Sequence, residues 1–117
     1  MRAALIFVAA LAVAGCKKKE AAPPVDTDTA PPIPAVELKR GQDACTAYVT
    51  QVCACTTEPA KQACALAKAL PDAVEVGMQV ATSPDSKRRE VLQANDSIRK
   101  TFKECIEQAA KLPTLGC

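Results

Sequence analysis

The chain has 117 residues, with 15 lysines and arginines, 13 aspartates and glutamates, seven cysteines and no histidine. Without histidine it lacks the commonest general base and most zinc sites. The excess of two positive charges lies in residues 1–40, whereas residues 41–117 balance nine basic against nine acidic side chains. No basic face therefore indicates a nucleic-acid partner.

The first predicted element is a short apolar run. Arg2 is the only charge before twelve consecutive apolar residues, 3–14. As a helix this run spans about 18 Å, which is short of the roughly 20 residues that a membrane crossing needs. A positive start, a short apolar middle and small residues before a break are typical of a secretory signal peptide. We expect residues 1–15 to be one.

The run ends in Val13-Ala14-Gly15-Cys16, which resembles the lipobox of bacterial lipoproteins. The resemblance covers residues 1–20. It implies cleavage before Cys16, diacylglycerol on the Cys16 thiol and an N-acyl chain on its amine, with no other cofactor. By the family's sorting rule, Lys17 in place of aspartate favours the outer membrane. The alternatives are an ordinary signal peptide that happens to contain a cysteine, or an anchor that is never cut.

Lys17, Lys18 and Lys19 follow the cysteine. Each contributes about 1 kcal/mol next to anionic lipid, so one interpretation places them at the membrane surface and the other has them solubilise the tether. Five prolines then fall within twelve residues, and proline fixes φ and removes a hydrogen-bond donor. We therefore predict that residues 16–40 form an extended linker reaching at most roughly 70 Å.

Residues 41–117 are predicted to form one small all-α domain, a disulfide-stapled bundle of three or four helices. Apolar residues recur at helical spacing over residues 42–53 and 58–70. Residues 73–81 alternate as a strand would, but helix is favoured because a strand partner is hard to find. Pro71 should break or kink the chain between these segments.

The last helix is predicted over residues 84–111, with Asn95 as the one polar member of its apolar stripe. A possible cap lies at residues 82–85, where a proline and an acid suit a first turn. Lys87, Arg88 and Arg89 lie near its start. They form either an anion site or a solvated face, and the solvated face is the favoured interpretation.

The domain holds six cysteines, an even number that is typical of a disulfide framework in a small exported domain. Fifteen pairings are possible. If four helices alternate in direction, the first and last are antiparallel. That arrangement predicts the pairs Cys45–Cys117, Cys53–Cys105 and Cys55–Cys64.

A different use of Cys53, Cys55 and Cys64 is a soft-metal or thiol redox site. Either use needs reduced thiols, whereas an exported domain meets an oxidising compartment. We therefore expect no metal and no catalytic residue.

The sequence favours a membrane-anchored, non-catalytic lipoprotein of the cell envelope, facing the periplasm or the surface. Its helical domain is expected to bind an envelope protein or to serve a structural role. The alternatives are a small-ligand or lipid carrier and the thiol redox or soft-metal protein. Tyr48 and Phe102 are the only aromatic residues of the domain, and this argues for tight packing rather than a ligand cavity.

Overall fold

The computed structural model describes residues 30–117, which form an all-α fold stapled by disulfides. The elements are α1 (Ala35–Ala54), α2 (Glu58–Ala67), α3 (Ala69–Thr82), α4 (Arg88–Ala110) and a 3-10 helix (Leu112–Leu115). The predicted small disulfide-stapled helical domain is confirmed. None of these described helices combines the length and the apolar character that a membrane crossing requires.

The folded unit begins earlier than predicted. α1 starts at Ala35, and the residues before it already contribute to the core, since Ile33 is only 8% exposed. The predicted boundary between linker and domain, after residue 40, is therefore wrong for residues 30–40. The prolines excluded a helix only up to Pro34, because a proline just before or in the first turn leaves a helix intact.

α2 and α3 are almost one helix, since only Lys68 separates them and its backbone is itself in the right-handed helical region. The predicted break is confirmed, and it lies three residues before Pro71. Proline lacks an N–H, and its ring clashes with the carbonyl four residues earlier, which is that of Ala67. α2 begins at a cap in which Thr57 Oγ accepts from the backbone N–H of Ala60 at 3.3 Å. Residues 73–81 lie in α3, as favoured.

α1 and α4 run parallel, and the prediction that the first and last helices are antiparallel is wrong. Contacts between them advance in both helices together, from Glu37–Arg99 through Gly41–Phe102 to Cys45–Cys105. Because α2 and α3 descend as one broken segment, the chain reverses direction only twice before α4. The fourth helix therefore regains the direction of the first.

α4 also begins four residues later than predicted. Residues 83–87 form a connection, in which the Ser83 hydroxyl accepts from the backbone N–H of Asp85 at 3.4 Å. The helix is capped one step further on, where the backbone N–H of Lys87 donates to Glu90 Oε2 at 2.7 Å. The cap expected at residues 82–85 stabilises this connection instead of the helix.

The core consists of two clusters of buried residues, which lie at different positions along the bundle. The first lies between α1, α3 and α4, and its buried members are Ile33, Cys45, Val74, Ile98, Phe102 and Cys105. The second lies between α1, α2 and the 3-10 helix, and its buried members are Tyr48, Val52, Ala60, Ala67 and Leu112. Most of these positions were predicted from the apolar stripes of the sequence.

Close helix contact at Gly41 yields a first prediction. A Cβ atom at this position would overlap the ring of Phe102, which is itself buried. Gly→Ala in an exposed helix interior stabilises by about 1 kcal/mol, but overpacking a core costs roughly 1–3 kcal/mol. We predict that Gly41→Ala lowers the free energy of unfolding measured by urea titration.

The matched control is Gln42→Ala, at the next and exposed position of the same helix. It should leave the free energy of unfolding unchanged or slightly higher, because alanine is the better helix former. A Gly41→Ala protein at least as stable as the original would show that α1 and α4 do not depend on close contact here.

Candidate functional site

The predicted membrane-attachment residues lie outside the described residues. They are Cys16, expected to carry lipid, and Lys17, Lys18 and Lys19, expected at the headgroups. The lipidation of Cys16 and the surface role of the lysines stay predictions. The functional features within residues 30–117 are the disulfide frame, the point where the chain enters the bundle, and the exposed grooves.

The structure joins Cys45 to Cys105, Cys53 to Cys64 and Cys55 to Cys117. The predicted pairs Cys45–Cys117, Cys53–Cys105 and Cys55–Cys64 are therefore all wrong. The cause is the direction of α4. Because α4 runs parallel to α1, Cys45 in α1 meets Cys105 in α4. Cys55, which follows the end of α1, meets Cys117, which follows the end of α4.

Cys53 and Cys55 bond to different partners, as predicted, although the partners differ from those expected. Cys53 belongs to the last turn of α1 and faces α2, whereas Cys55 is the extended residue that caps the helix. All six cysteines of residues 30–117 are in disulfides, so none offers a thiolate in this state. No group of three or more acidic or cysteine side chains in that part of the chain is placed to hold a metal ion.

The N-terminal segment is fixed where it enters the bundle. The side-chain amide of Asn95 donates to the carbonyl oxygen of Pro31 at 3.1 Å, and Asn95 itself is only 4% exposed. Ile33 is buried in the first core cluster two residues further on. In the sequence, the only sign of this contact was Asn95 itself, the one polar residue in the apolar stripe of α4. The sequence did not show that its partner is Pro31.

A bidentate ion pair joins α1 to α4 beside this entry point. Arg99 donates to the carboxylate of Glu37 at 2.6 and 3.3 Å. This pairing lowers the pKa of Glu37 and raises the pKa of Arg99. The pair's contribution to stability is therefore present above the ordinary carboxyl pKa of 4.5 and is lost as the pH falls through the lowered pKa. No local pattern in the sequence connects these two residues.

Three open grooves run between the helices. One of about 470 Å³ lies between α1 and α3, one of about 720 Å³ between α3 and α4, and one of about 430 Å³ between α1 and α4. A smaller one contains Tyr48, whose pKa is raised by burial and by the charge of Glu104. Large apolar side chains exposed on the described surface are Val36, Leu66, Val76, Val80, Leu92 and Ile106.

The parallel arrangement gives the bundle two distinct ends. One end comprises the first turn of α4, the last turn of α3 and the connection 83–87. α1 begins further along the bundle, because Glu37 in its first turn pairs with Arg99, eleven residues after the start of α4. The far end comprises residues 55–57 and the 3-10 helix. Lys87, Arg88 and Arg89 are all exposed at the start of α4, and the incoming chain contacts the same helix further along, at Asn95.

Comparison with models of protein families, with curated proteins and with solved structures gives no match to this chain. The functional argument consequently depends on the residues themselves.

The disulfide frame yields a second prediction. In the chain-entropy account, a bridge closing about 60 residues contributes about 4 kcal/mol and one closing 11 residues about 3 kcal/mol. Cys45–Cys105 is also buried in the core, so its loss removes packing as well. We predict that Cys45→Ala with Cys105→Ala lowers the free energy of unfolding more than Cys53→Ala with Cys64→Ala.

The measurement is urea unfolding of both double variants, followed by circular dichroism, with peptide mapping of the non-reduced protein to verify the remaining bridges. The less buried Cys53–Cys64 pair serves as the control. If the two double variants unfold at the same urea concentration, the Cys45–Cys105 bridge does not stabilise the domain more than the Cys53–Cys64 bridge does.

Proposed function

We propose that the chain is a lipid-anchored envelope lipoprotein whose helical domain acts, without catalysis, as an interaction or structural module. The observation that carries the proposal is the motif Val13-Ala14-Gly15-Cys16 at the end of an apolar run too short to span a membrane. The three disulfides support it, because such frames persist in oxidising compartments outside the cytosol.

The anchor needs more than one acyl chain to be stable. A single chain gives marginal, reversible binding, whereas two or more hold a protein on the membrane for long periods. Diacylglycerol on Cys16 would supply two chains and an N-acyl group a third. Lys17 after the cysteine favours the outer membrane, and the three lysines would add attraction to anionic lipid headgroups.

An interaction role for the domain is supported by its exposed apolar side chains. Single exposed apolar residues are ordinary on protein surfaces, but here they lie beside grooves. Leu66 is 76% exposed next to the groove that contains Tyr48, and Ile106 is 54% exposed in the groove between α1 and α4. These positions fit contact with another envelope protein.

The anchor is tested by replacing Cys16. We predict that Cys16→Ser leaves an uncleaved precursor that takes up no labelled palmitate, because the variant lacks the thiol that carries diacylglycerol. The matched control is Cys55→Ser with Cys117→Ser, which removes one disulfide and should still be cleaved and labelled. Palmitate label on the Cys16→Ser protein would contradict the proposal.

The interaction role is tested by site-specific photo-crosslinking in intact cells. We predict discrete adducts from a photoreactive residue introduced at Leu66 or Ile106, since these side chains are exposed and apolar. Lys100 provides the control position, because it is exposed on α4 and paired with Asp96. Equal labelling at all three positions, or none at either apolar one, would argue against a specific protein partner.

A further inference from the structure

We infer that the small pocket between α2 and α4 receives a lysine or arginine side chain from a protein partner of the domain. The inference rests on the interaction role proposed above and adds to it the chemistry of the residue that the partner presents. We call this site the Tyr48 pocket, and its volume is about 120 Å³.

The first observation is a tyrosine hydroxyl that lacks a hydrogen bond. Tyr48 is only 4% exposed, and a tyrosine hydroxyl normally finds a hydrogen-bond partner when it is buried. No group within residues 30–117 hydrogen-bonds this one, although no fully enclosed side-chain oxygen or nitrogen in that range lacks a partner. The hydroxyl therefore keeps some access to the surface, through the pocket that Tyr48 lines. It can donate one hydrogen bond to an incoming group or accept from it.

The second observation is a carboxylate beside this hydroxyl. Glu104 lines the same pocket and carries the only charge among the residues that do so. Burial, and then the negative charge of Glu104, raise the pKa of Tyr48, so the two groups lie close enough to interact. Gln108, one turn after Glu104 on α4, adds an amide to the same wall.

Glu104 has no ion-pair partner in the part of the chain that the structure describes. Two other acids of α4 do have one. Asp96 pairs with Lys100 at 2.7 Å, and Glu107 pairs with Lys103 at 3.7 Å. The cations nearest to Glu104 along its own helix are therefore already engaged.

Two further lysines follow pocket residues in the sequence. Lys68 comes directly after Ala67, and Lys111 comes three residues after Gln108. Neither of them lines the pocket or forms an ion pair with Glu104. The pocket thus holds a negative charge that no described side chain pairs with, and a cationic group is its electrostatic complement.

The third observation is the apolar wall on the α2 side of the pocket. Ala63 and Ala67 of α2 and Leu70 of α3 line it, and Leu66 lines it with 76% of its surface still exposed. Lysine and arginine carry an aliphatic stem that packs on apolar surface while the charged head stays among polar groups. The apolar wall, the hydroxyl and the carboxylate together match a basic side chain along its whole length.

Other occupants match the pocket less well. Glu104 would repel an acidic side chain, and a purely apolar one would cover the Tyr48 hydroxyl without offering it a hydrogen bond. Pockets for small-molecule ligands usually enclose about 300–1,000 Å³, so this one has room for a side chain rather than for such a ligand. Because Leu66 is exposed beside it, a protein that inserts a basic residue also brings neighbouring residues onto Leu66.

The experiment uses the full lipidated chain in intact cells, with the photoreactive residue at Leu66 as the reporter. The yield of its adduct is compared between the original background and two variants that change the pocket by one group each. Glu104→Gln removes the charge and keeps the shape, and Tyr48→Phe removes the hydroxyl and keeps the ring. The matched control is Glu75→Gln, which removes one negative charge from an exposed position of α3 outside the pocket.

We expect Glu104→Gln to lower the yield of the Leu66 adduct about tenfold, because a hydrogen bond to a charged group contributes about that factor to affinity. Tyr48→Phe should lower the yield roughly threefold, which corresponds to a neutral hydrogen bond, and Glu75→Gln should leave it unchanged. Mass spectrometry of the adduct should find a lysine or arginine of the partner within a few residues of the crosslink. Circular dichroism of each purified variant verifies that the helices are intact.

A charge swap separates recognition from an effect on folding. Glu104→Arg should abolish the adduct, and replacing the partner's basic residue by glutamate should restore it in that background. A role of Glu104 confined to the stability of its own chain predicts no such rescue.

The outcomes distinguish the inference from the proposed function on which it rests. Absence of adducts at both Leu66 and Ile106 overturns the interaction role, and the inference with it. An adduct at Ile106 alone, or one at Leu66 that survives Glu104→Gln or falls equally with Glu75→Gln, leaves the interaction role in place and overturns the inference. A Leu66 adduct between two copies of this chain likewise overturns the inference.

Discussion

The parallel contact between α1 and α4 is the constraint from which the rest of the molecule follows. It is made of unlike parts along its length: an ion pair at Glu37, a glycine against an aromatic ring at Gly41, and a covalent bond at Cys45. Two parallel helices need a connection that returns along the bundle, and α2 with α3 supplies it. The break at Lys68 lets this return segment pack against both core clusters.

The bundle holds together with few large side chains because its cysteines also serve as core residues. Cys45 and Cys105 are among the most buried side chains of the described residues. Small residues at Ala60 and Ala67 let α2 approach α1 closely, which brings Cys53 within bonding distance of Cys64. A domain of this size obtains only a few kcal/mol of stability from the burial of apolar side chains. Disulfides and closely packed helix backbones therefore supply the stability that large side chains supply in bigger domains.

The helices could be predicted from the sequence because apolar spacing is local. The stripe through Ile98, Phe102 and Cys105 identified α4, and Pro71 identified the break in the return segment. The start of the domain was predicted less accurately, because Ile33 packs in the core and the carbonyl oxygen of Pro31 accepts a hydrogen bond from Asn95, 64 positions away. A cap motif at Ser83 likewise stabilises a turn as readily as a helix start.

The disulfide pairing could not be predicted, because it depends on helix direction, which no local pattern encodes. The prediction treated α2 and α3 as two helices that run in opposite directions. This gave α4 the wrong direction, and all three predicted disulfides were wrong as a result. The sequence did foresee that Cys53 and Cys55 separate, because two residues along a helix turn the side chain by about 200°. The candidate attachment site was predicted from a motif at residues 13–16, which lie outside the described residues.

The positions of the bridges have a consequence for a chain that meets proteases. The connection 83–87 lies at the surface and contains a lysine. Cys45–Cys105 and Cys55–Cys117 both link residues before this connection to residues after it. A single cut there would open the backbone while leaving two covalent links between the fragments. The domain would remain one particle, still joined to its N-terminal segment, after the main chain had been severed.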